Sequence, residues 1–303
     1  MTPTAPEHTI AYLPINGAGP LPAARARRSQ GLITVALLAP ALILLCVLYF
    51  YPLLTVLRVS VVEPHQGFDN YVALATSSGL RRVFVTTLRI STITTVVSVT
   101  IGYLIAYLMV GCSEGRRKLM FVCVLVPFWI SVLVRAFAWV VLLRAGGLVN
   151  TLLLQMHLIR EPLDLLYNEF GVVVGMVHYM VPIAVLTLYG QLTGIDRRLM
   201  MAAEGLGADP FYAFRRVFLP LSIPGIVAAS ILIFISSLGF YIVPALLGGG
   251  KTLMVAEYIS ILITETVNWG LGTTMASTLV VITLVLIFIL SRFVDLRRAF
   301  GGA

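Results

Sequence analysis

Charge is what this chain has least of. Only 11% of its 303 residues are Asp, Glu, Lys or Arg, against about a quarter in soluble globular proteins, so an ordinary soluble domain is excluded. Carboxylates are scarcer than cations, 13 against 21. Glu63, Asp69, Glu161, Asp164, Glu169, Glu257 and Glu265 all fall between or at the edges of the apolar runs. The sequence therefore lacks the midspan acidic residue that marks many ion-driven carriers, and it shows no internal repeat. Its three cysteines, Cys46, Cys112 and Cys123, form no Cys-x-x-Cys pair, and no histidine cluster joins them. Metal sites and a disulfide framework are thereby excluded, leaving small apolar packing residues. No basic face with interleaved aromatics stands outside the apolar runs, so the net charge of +8 does not imply nucleic acid as a partner. Gly248-Gly249-Gly250-Lys251-Thr252 is not a phosphate loop: G-x-x-x-x-G-K-[ST] would need glycine at 245, which is Ala245. Neither paired catalytic carboxylates nor a nucleophile–base pair occurs at recognisable spacing. No catalytic residue and no metal ligand is expected.

What is abundant is long apolar sequence. Hydrophobic residues make up 59% of the chain. A helix needs about 20 mostly apolar residues to cross a bilayer. Six segments qualify: Leu32–Leu57, Val83–Val110, Leu119–Leu143, Gly171–Gln191, Ile223–Leu247 and Thr273–Phe293. The expected fold is all-α, a polytopic membrane protein with six transmembrane helices in one domain, 31–298. A Pro-, Ala- and Gly-rich tail, 1–30, precedes it, and 299–303 follow. The tail lacks the short apolar region and small-residue boundary of a cleavable signal peptide and is expected to stay as a flexible cytoplasmic segment. Putting the N-terminus in the cytoplasm places 13 of the 21 basic residues inside, 6 outside and 2, Arg89 and Arg135, within spans. The positive-inside rule selects that orientation, with both termini cytoplasmic.

Within the spans a few residues stand out. The second is rich in Ser, Thr and Gly, which fits either a polar channel wall or tight helix packing. The third contains PFWISVLVRAFAW, Pro127–Trp139. Arg135 either snorkels toward the outer interface or faces an internal water-filled cavity. Arg89, nearer the outer end of its span, is expected to snorkel, and Trp139 to anchor at the outer interface. His178 lies beside Tyr179 in the fourth span, and lone His157 lacks metal-ligand spacing. Trp129, Arg135, Tyr179 and Tyr241, polar or aromatic groups inside predicted spans, are the candidate translocation-path residues. Between spans, Ala145–Phe170 reads as an outer excursion with a short helix over Asn150–Ile159, and Tyr241–Ile259 as a flexible outer loop.

The strongest signal is a polar segment between the fourth and fifth spans, MAAEGLGADPFYAFRRVFLP at Met201–Pro220. Asp196 is placed to cap a helix starting at Arg197. Gly205 and Gly207 allow a sharp turn, and Pro210 can open a second helix. Phe211, Phe214 and Phe218 form an apolar stripe, while Arg215 and Arg216 are free to meet acidic groups or anionic lipid. The segment resembles the cytoplasmic loop of permease subunits of binding-protein-dependent ABC importers. That family's pattern is Glu-Ala-Ala, three residues, Gly, nine residues, an aliphatic residue, one residue, Leu-Pro. Here it reads Met201-Ala202-Ala203, Gly207, Val217, Leu219-Pro220, with Met201 in place of the leading Glu. The segments PFWISVLVRAFAW, IDRRL, FRRVFLPLSIPGI, VPALLGGGKTLM and NWGLG resemble spermidine/putrescine-type permeases, a group that also serves opines, phosphonates and other small solutes.

The resemblance implies a type I ABC importer permease fold in a bacterial cytoplasmic (inner) membrane. It implies a coupling loop, 194–222, in which Ala202, Ala203, Glu204, Gly207, Asp209, Pro210 and Arg215 engage a cytoplasmic ATPase. The implied partners are two copies of that ATPase, a second homologous permease, a periplasmic solute-binding protein, membrane lipid and a small-molecule solute, a polyamine or related amine. ATP and Mg would be bound by the ATPase, with no cofactor in this chain. The rival readings are an ion-gradient-driven secondary transporter and, behind it, a membrane-embedded enzyme.

Overall fold

A computed structural model describes residues 23–293 apart from 65 and 197, with side chains described from 37 to 289. The chain divides into a unit ending at Thr55 and a larger one beginning at Val56. The described residues are helical, without a strand, and six helical stretches are long and apolar enough to cross a membrane.

Helix α1, Ala23–Val62, begins inside the segment expected to be a tail. Residues 1–22 and 294–303 lie outside the described residues. After the short α2, Asp69–Thr76, comes α3, Ser78–Gly111, which packs along α7, Glu169–Leu192, and both receive α10, Leu219–Leu238. Apolar burial gives little drive in lipid, where the surroundings are as apolar as the side chains. Close van der Waals approach has to hold the helices instead. The sequence supplies it: a Cβ on Gly102 would lie 2.5 Å from the Cβ of Ala184. Thr87, Ser91, Thr94, Thr95 and Ser98 are buried within the chain. The Ser/Thr-rich face of the second span is therefore a packing face. Thr87 and Thr95 back-bond to their own helix at 2.8 and 2.7 Å.

Two predicted spans are not continuous helices. The third ends α4, Glu114–Trp129, at an extended Ile130 and restarts after Ser131 as α5, Val132–Leu143. A turn then leads to α6, Leu148–Gln155, in place of the helix expected over Asn150–Ile159. The fifth span starts earlier than expected, within the loop, and α10 stops at Gly239. The short α11, Ile242–Leu247, follows and packs on α5. The stretch expected to be a flexible outer loop is thus mostly helical. Between α11 and α12, Val255–Thr264, lie the turn glycines Gly249 and Gly250 at φ 56° and 72°. The final helix, α13, Trp269–Phe293, is tied to the end of α1 by a Thr274 Oγ1 bond to the Ser60 carbonyl at 3.2 Å.

Candidate functional site

The loop between the fourth and fifth spans is built almost entirely from local hydrogen bonds. Asp196 Oδ1 accepts from the Arg198 N–H at 2.9 Å at the start of α8, Arg198–Gly205. At the other end the Gly207 N–H donates to the Glu204 carbonyl at 2.9 Å, and the Ala208 N–H to the Ala203 carbonyl at 3.1 Å. These paired bonds are a Schellman closure with Gly207 at its left-handed position, φ 91°. Only Gly207 needs glycine's freedom here; Gly205 is still helical. Asp209 Oδ1 accepts from the Phe211 and Tyr212 N–H groups at 2.9 and 3.0 Å, and Pro210 takes the first position of α9, Pro210–Ala213.

A π-helical turn, Phe214–Phe218, joins α9 to α10. Its wider turn breaks the expected Phe stripe. Phe214 and Phe218 pack edge-on against Tyr107, centroids 5.1 and 5.2 Å away, whereas Phe211 is left 71% exposed. The outward surface consists of Met201, Ala202, Leu206, Phe211 and Tyr212, with Glu204, Arg215 and Arg216. Leu206 is 91% exposed, and a Cβ on Gly207 would meet nothing within 4 Å. Ala203 is half-buried beneath this surface.

In the membrane region the candidate residues separate. Arg135, near the start of α5, is 8% exposed, so it does not snorkel. Its guanidinium carbon lies 4.6 Å from the Tyr179 ring centroid, and its Nε and Nη1 are buried without hydrogen-bond partners. Tyr179 in turn packs on Phe240, centroids 4.8 Å apart, at the α10–α11 break. A cavity of about 10 Å³, lined by Arg135, Trp139, His178, Tyr179 and Val243 among others, adjoins them. That is the space of a single water molecule. Trp129, 83% exposed at the end of α4, and Tyr241, 45% exposed just before α11, stand outside that lining.

Two residues expected to sit at the outer interface have side-chain partners. Trp139 donates through Nε1 to His178 Nδ1 at 3.0 Å, and Arg89 forms an ion pair with Glu169. Their partners are 39 and 80 residues away in sequence, so no local pattern could have announced them. Among the described residues no group of three or more His, Cys, Asp or Glu side chains is placed to hold a metal ion.

Six apolar spans with an exposed, self-capped helical loop between the fourth and fifth describe a polytopic membrane subunit with a surface for a partner. Residues 98–298 match the family described as binding-protein-dependent transport system inner membrane component, and the chain belongs to that family. It is a multi-pass inner membrane protein, the permease subunit of an ABC importer.

Its relatives include the spermidine/putrescine transport system permease protein PotB of Haemophilus influenzae, 36% identical over 68% of this chain and 72% of that one. The inner membrane ABC transporter permease protein YdcU of Escherichia coli is 30% identical over 73% and 77%. Among solved structures, a bacterial ABC transporter involved in alginate import shares the type I fold. Its TM-score is 0.73 at 20% identity, over 89% of this chain and 98% of that one.

Proposed function

We propose that this chain carries a polyamine or related small amine from periplasm to cytoplasm as one half of a permease pair. Two copies of a separate cytoplasmic ATPase drive it, and a periplasmic binding protein delivers the solute. ATP and Mg belong to the ATPase; this subunit contributes coupling and a path. The observation that carries the reading is the loop. Its helix ends are capped from within it, so it is pre-formed, while Met201, Leu206 and Phe211 stand exposed as apolar knobs. Such an arrangement serves a partner's groove better than it serves water.

In this reading ATPase closure moves α8 and α9. Motion passes to the spans through the π-helical turn, because Phe214 and Phe218 grip Tyr107 of α3 and α10 continues from the turn without a break. The distribution of Arg and Lys supports a cytoplasmic loop and cytoplasmic termini. The spermidine/putrescine permeases among its relatives support the amine. Affinity purification from the native membrane followed by mass spectrometry tests the proposal. The expected result is a Walker-motif ATPase and a second six-span permease at stoichiometric levels. A well-folded chain that repeatedly purifies alone, with uptake that survives ATP depletion but not loss of the proton gradient, would overturn it in favour of a secondary carrier.

A further inference from the structure

Two concave surfaces follow one another along α3, and their chemistry is opposite. The first is a pocket of about 420 Å³ where the start of α3 meets the first residue of α7 and the turn leading into α12. Three cations line it, Arg82, Arg89 and Lys251, with one carboxylate, Glu169. Arg89 is paired with Glu169, so Arg82 and Lys251, both exposed, have no counter-charge among the described residues. The hydroxyls of Thr86, Thr252 and Tyr258 line the same pocket, and none of these hydroxyls makes a hydrogen bond among the described residues. The pocket therefore holds positive charge and free donors together.

The second is a groove of about 500 Å³ between α3, α10 and α13. Its α3 wall begins at Thr92, three residues beyond Arg89. Arg89, Thr92, Val96 and Thr100 follow at spacings of three and four, so they share one helix face and join pocket to groove. Val99, Ile231, Phe234 and Leu286 supply apolar walls. The groove's hydroxyls are taken up inside their own helices. Thr92, Thr95 and Thr100 each donate to the carbonyl four residues back at 2.7 Å, and Ser230 does so at 2.8 Å. The groove thus presents hydrocarbon and no free hydroxyl. Depth follows from length. α3 has 34 residues, about 51 Å, which exceeds a hydrocarbon core of about 30 Å. Its apolar run starts only at Val83, after Arg81 and Arg82, so the first turn stands in the headgroup layer. From Arg89 to Thr100 is about 17 Å, close to the thickness of one leaflet.

We infer that pocket and groove together hold one anionic phospholipid, its phosphate among Arg82, Lys251 and the free hydroxyls and an acyl chain along Val96 and Phe234. A charged pocket at headgroup level over a dry groove one leaflet long matches a molecule with those two ends. A zwitterionic headgroup fits less well, because its ammonium meets two unpaired cations and finds Glu169 already taken by Arg89. A soluble anion has no use for the groove, and an acidic side chain of another protein leaves the groove uncovered. The same cations repel a polyamine, so the pocket is no station for the proposed solute.

The test counts lipids by native mass spectrometry on the full chain, purified in its native complex and delipidated in detergent. Dioleoyl phosphatidylglycerol and dioleoyl phosphatidylethanolamine are titrated separately. The expected result is one phosphatidylglycerol per copy of this chain, held about tenfold or more tighter than phosphatidylethanolamine, as suits two basic groups at a headgroup. Arg82→Gln combined with Lys251→Gln should make the two lipids bind alike. Val96→Trp fills the groove from an exposed position and leaves the cations in place, and it should weaken phosphatidylglycerol by a similar factor. Equal affinity for the two lipids in the unmodified chain, or phosphatidylglycerol binding that both variants leave unchanged, would overturn the inference. Inorganic phosphate that displaces the lipid, and binds the Val96→Trp variant undiminished, would assign the pocket to a soluble anion instead. Loss of another subunit from either variant would assign the surface to that subunit. Transport is not part of the readout, so the importer reading stands or falls separately.

Discussion

The loop at 194–222 and the break at Ile130–Ser131 both interrupt the apolar helices, and they treat their free backbone groups in opposite ways. In the loop, Asp196, Asp209 and the Schellman bonds around Gly207 satisfy them from within a few residues. At the break, Ser131 caps nothing and Arg135 keeps two buried nitrogens without partners. The first region stands at a water interface, where solvent could have done the work, yet it is self-contained. The second leaves the first N–H groups of α5 without a side-chain cap. An element built for repeated docking by the same partner benefits from being rigid beforehand.

The largest expected effect breaks the loop side of this comparison. A side chain at Gly207 would meet nothing inside the chain, and its cost to the fold is that of the left-handed backbone, about 1–2 kcal/mol, so Gly207→Trp should still insert and fold. Uptake should nevertheless fall by about thirtyfold or more, the scale of a lost interface hot spot. Gly207→Ala should fall much less, because it adds only the left-handed backbone cost of about 1–2 kcal/mol. Wild-type uptake in a well-expressed Trp variant would show that the loop surface docks nothing.

A second effect asks whether unsatisfied groups elsewhere are also functional. Glu257 on α12, outside the six spans, is 5% exposed, with its Oε2 unpartnered. Burial pushes its carboxyl up from 4.5 to about 7, only partly opposed by the Met254 N–H reaching it from the helix cap. A carboxyl raised by folding favours the folded state when protonated. Its stabilising contribution is complete below pH 4.5 and is lost as the pH rises through about 7. Glu257→Gln should therefore melt close to wild type at pH 4.5 and above it at pH 8, by a few degrees in detergent. Equal melting temperatures at both values would place Glu257 in water.

The fold class and the loop were legible because both are local. Apolar length, Asp209-Pro210 and Gly207 act within a turn or two of themselves, and the loop's caps formed where the residue types put them. The Phe211–Phe214–Phe218 stripe was misread because a π-helical turn shifts the register after Ala213. The break in PFWISVLVRAFAW was not legible at all: between Pro127 and Trp139 no glycine or polar run punctuates the chain. What sets α5 apart is its packing on α11, more than a hundred residues downstream. Likewise the partners of Arg89 and Trp139 were not legible, because Glu169 and His178 reach them only through the α3–α7 and α5–α7 contacts.

The smallest effect sharpens the comparison most directly, because it uses the same chemical role in both places. Asp209 and Ser131 each occupy the residue before a helix, but Asp209 accepts two N–H bonds and Ser131 none. Asp209→Ala should destabilise the loop by about 1 kcal/mol, the usual loss for a cap. It should show as faster hydrogen exchange at Phe211 and Tyr212 and a modest fall in uptake. Ser131→Ala should change stability by less than about 0.5 kcal/mol, the range of a substitution that breaks no contact. If Ser131→Ala costs as much as Asp209→Ala, the hydroxyl is capping α5 after all. If only Asp209→Ala costs, the same local position is filled in the loop and empty at the start of α5, and the two interruptions differ in energy as they do in geometry.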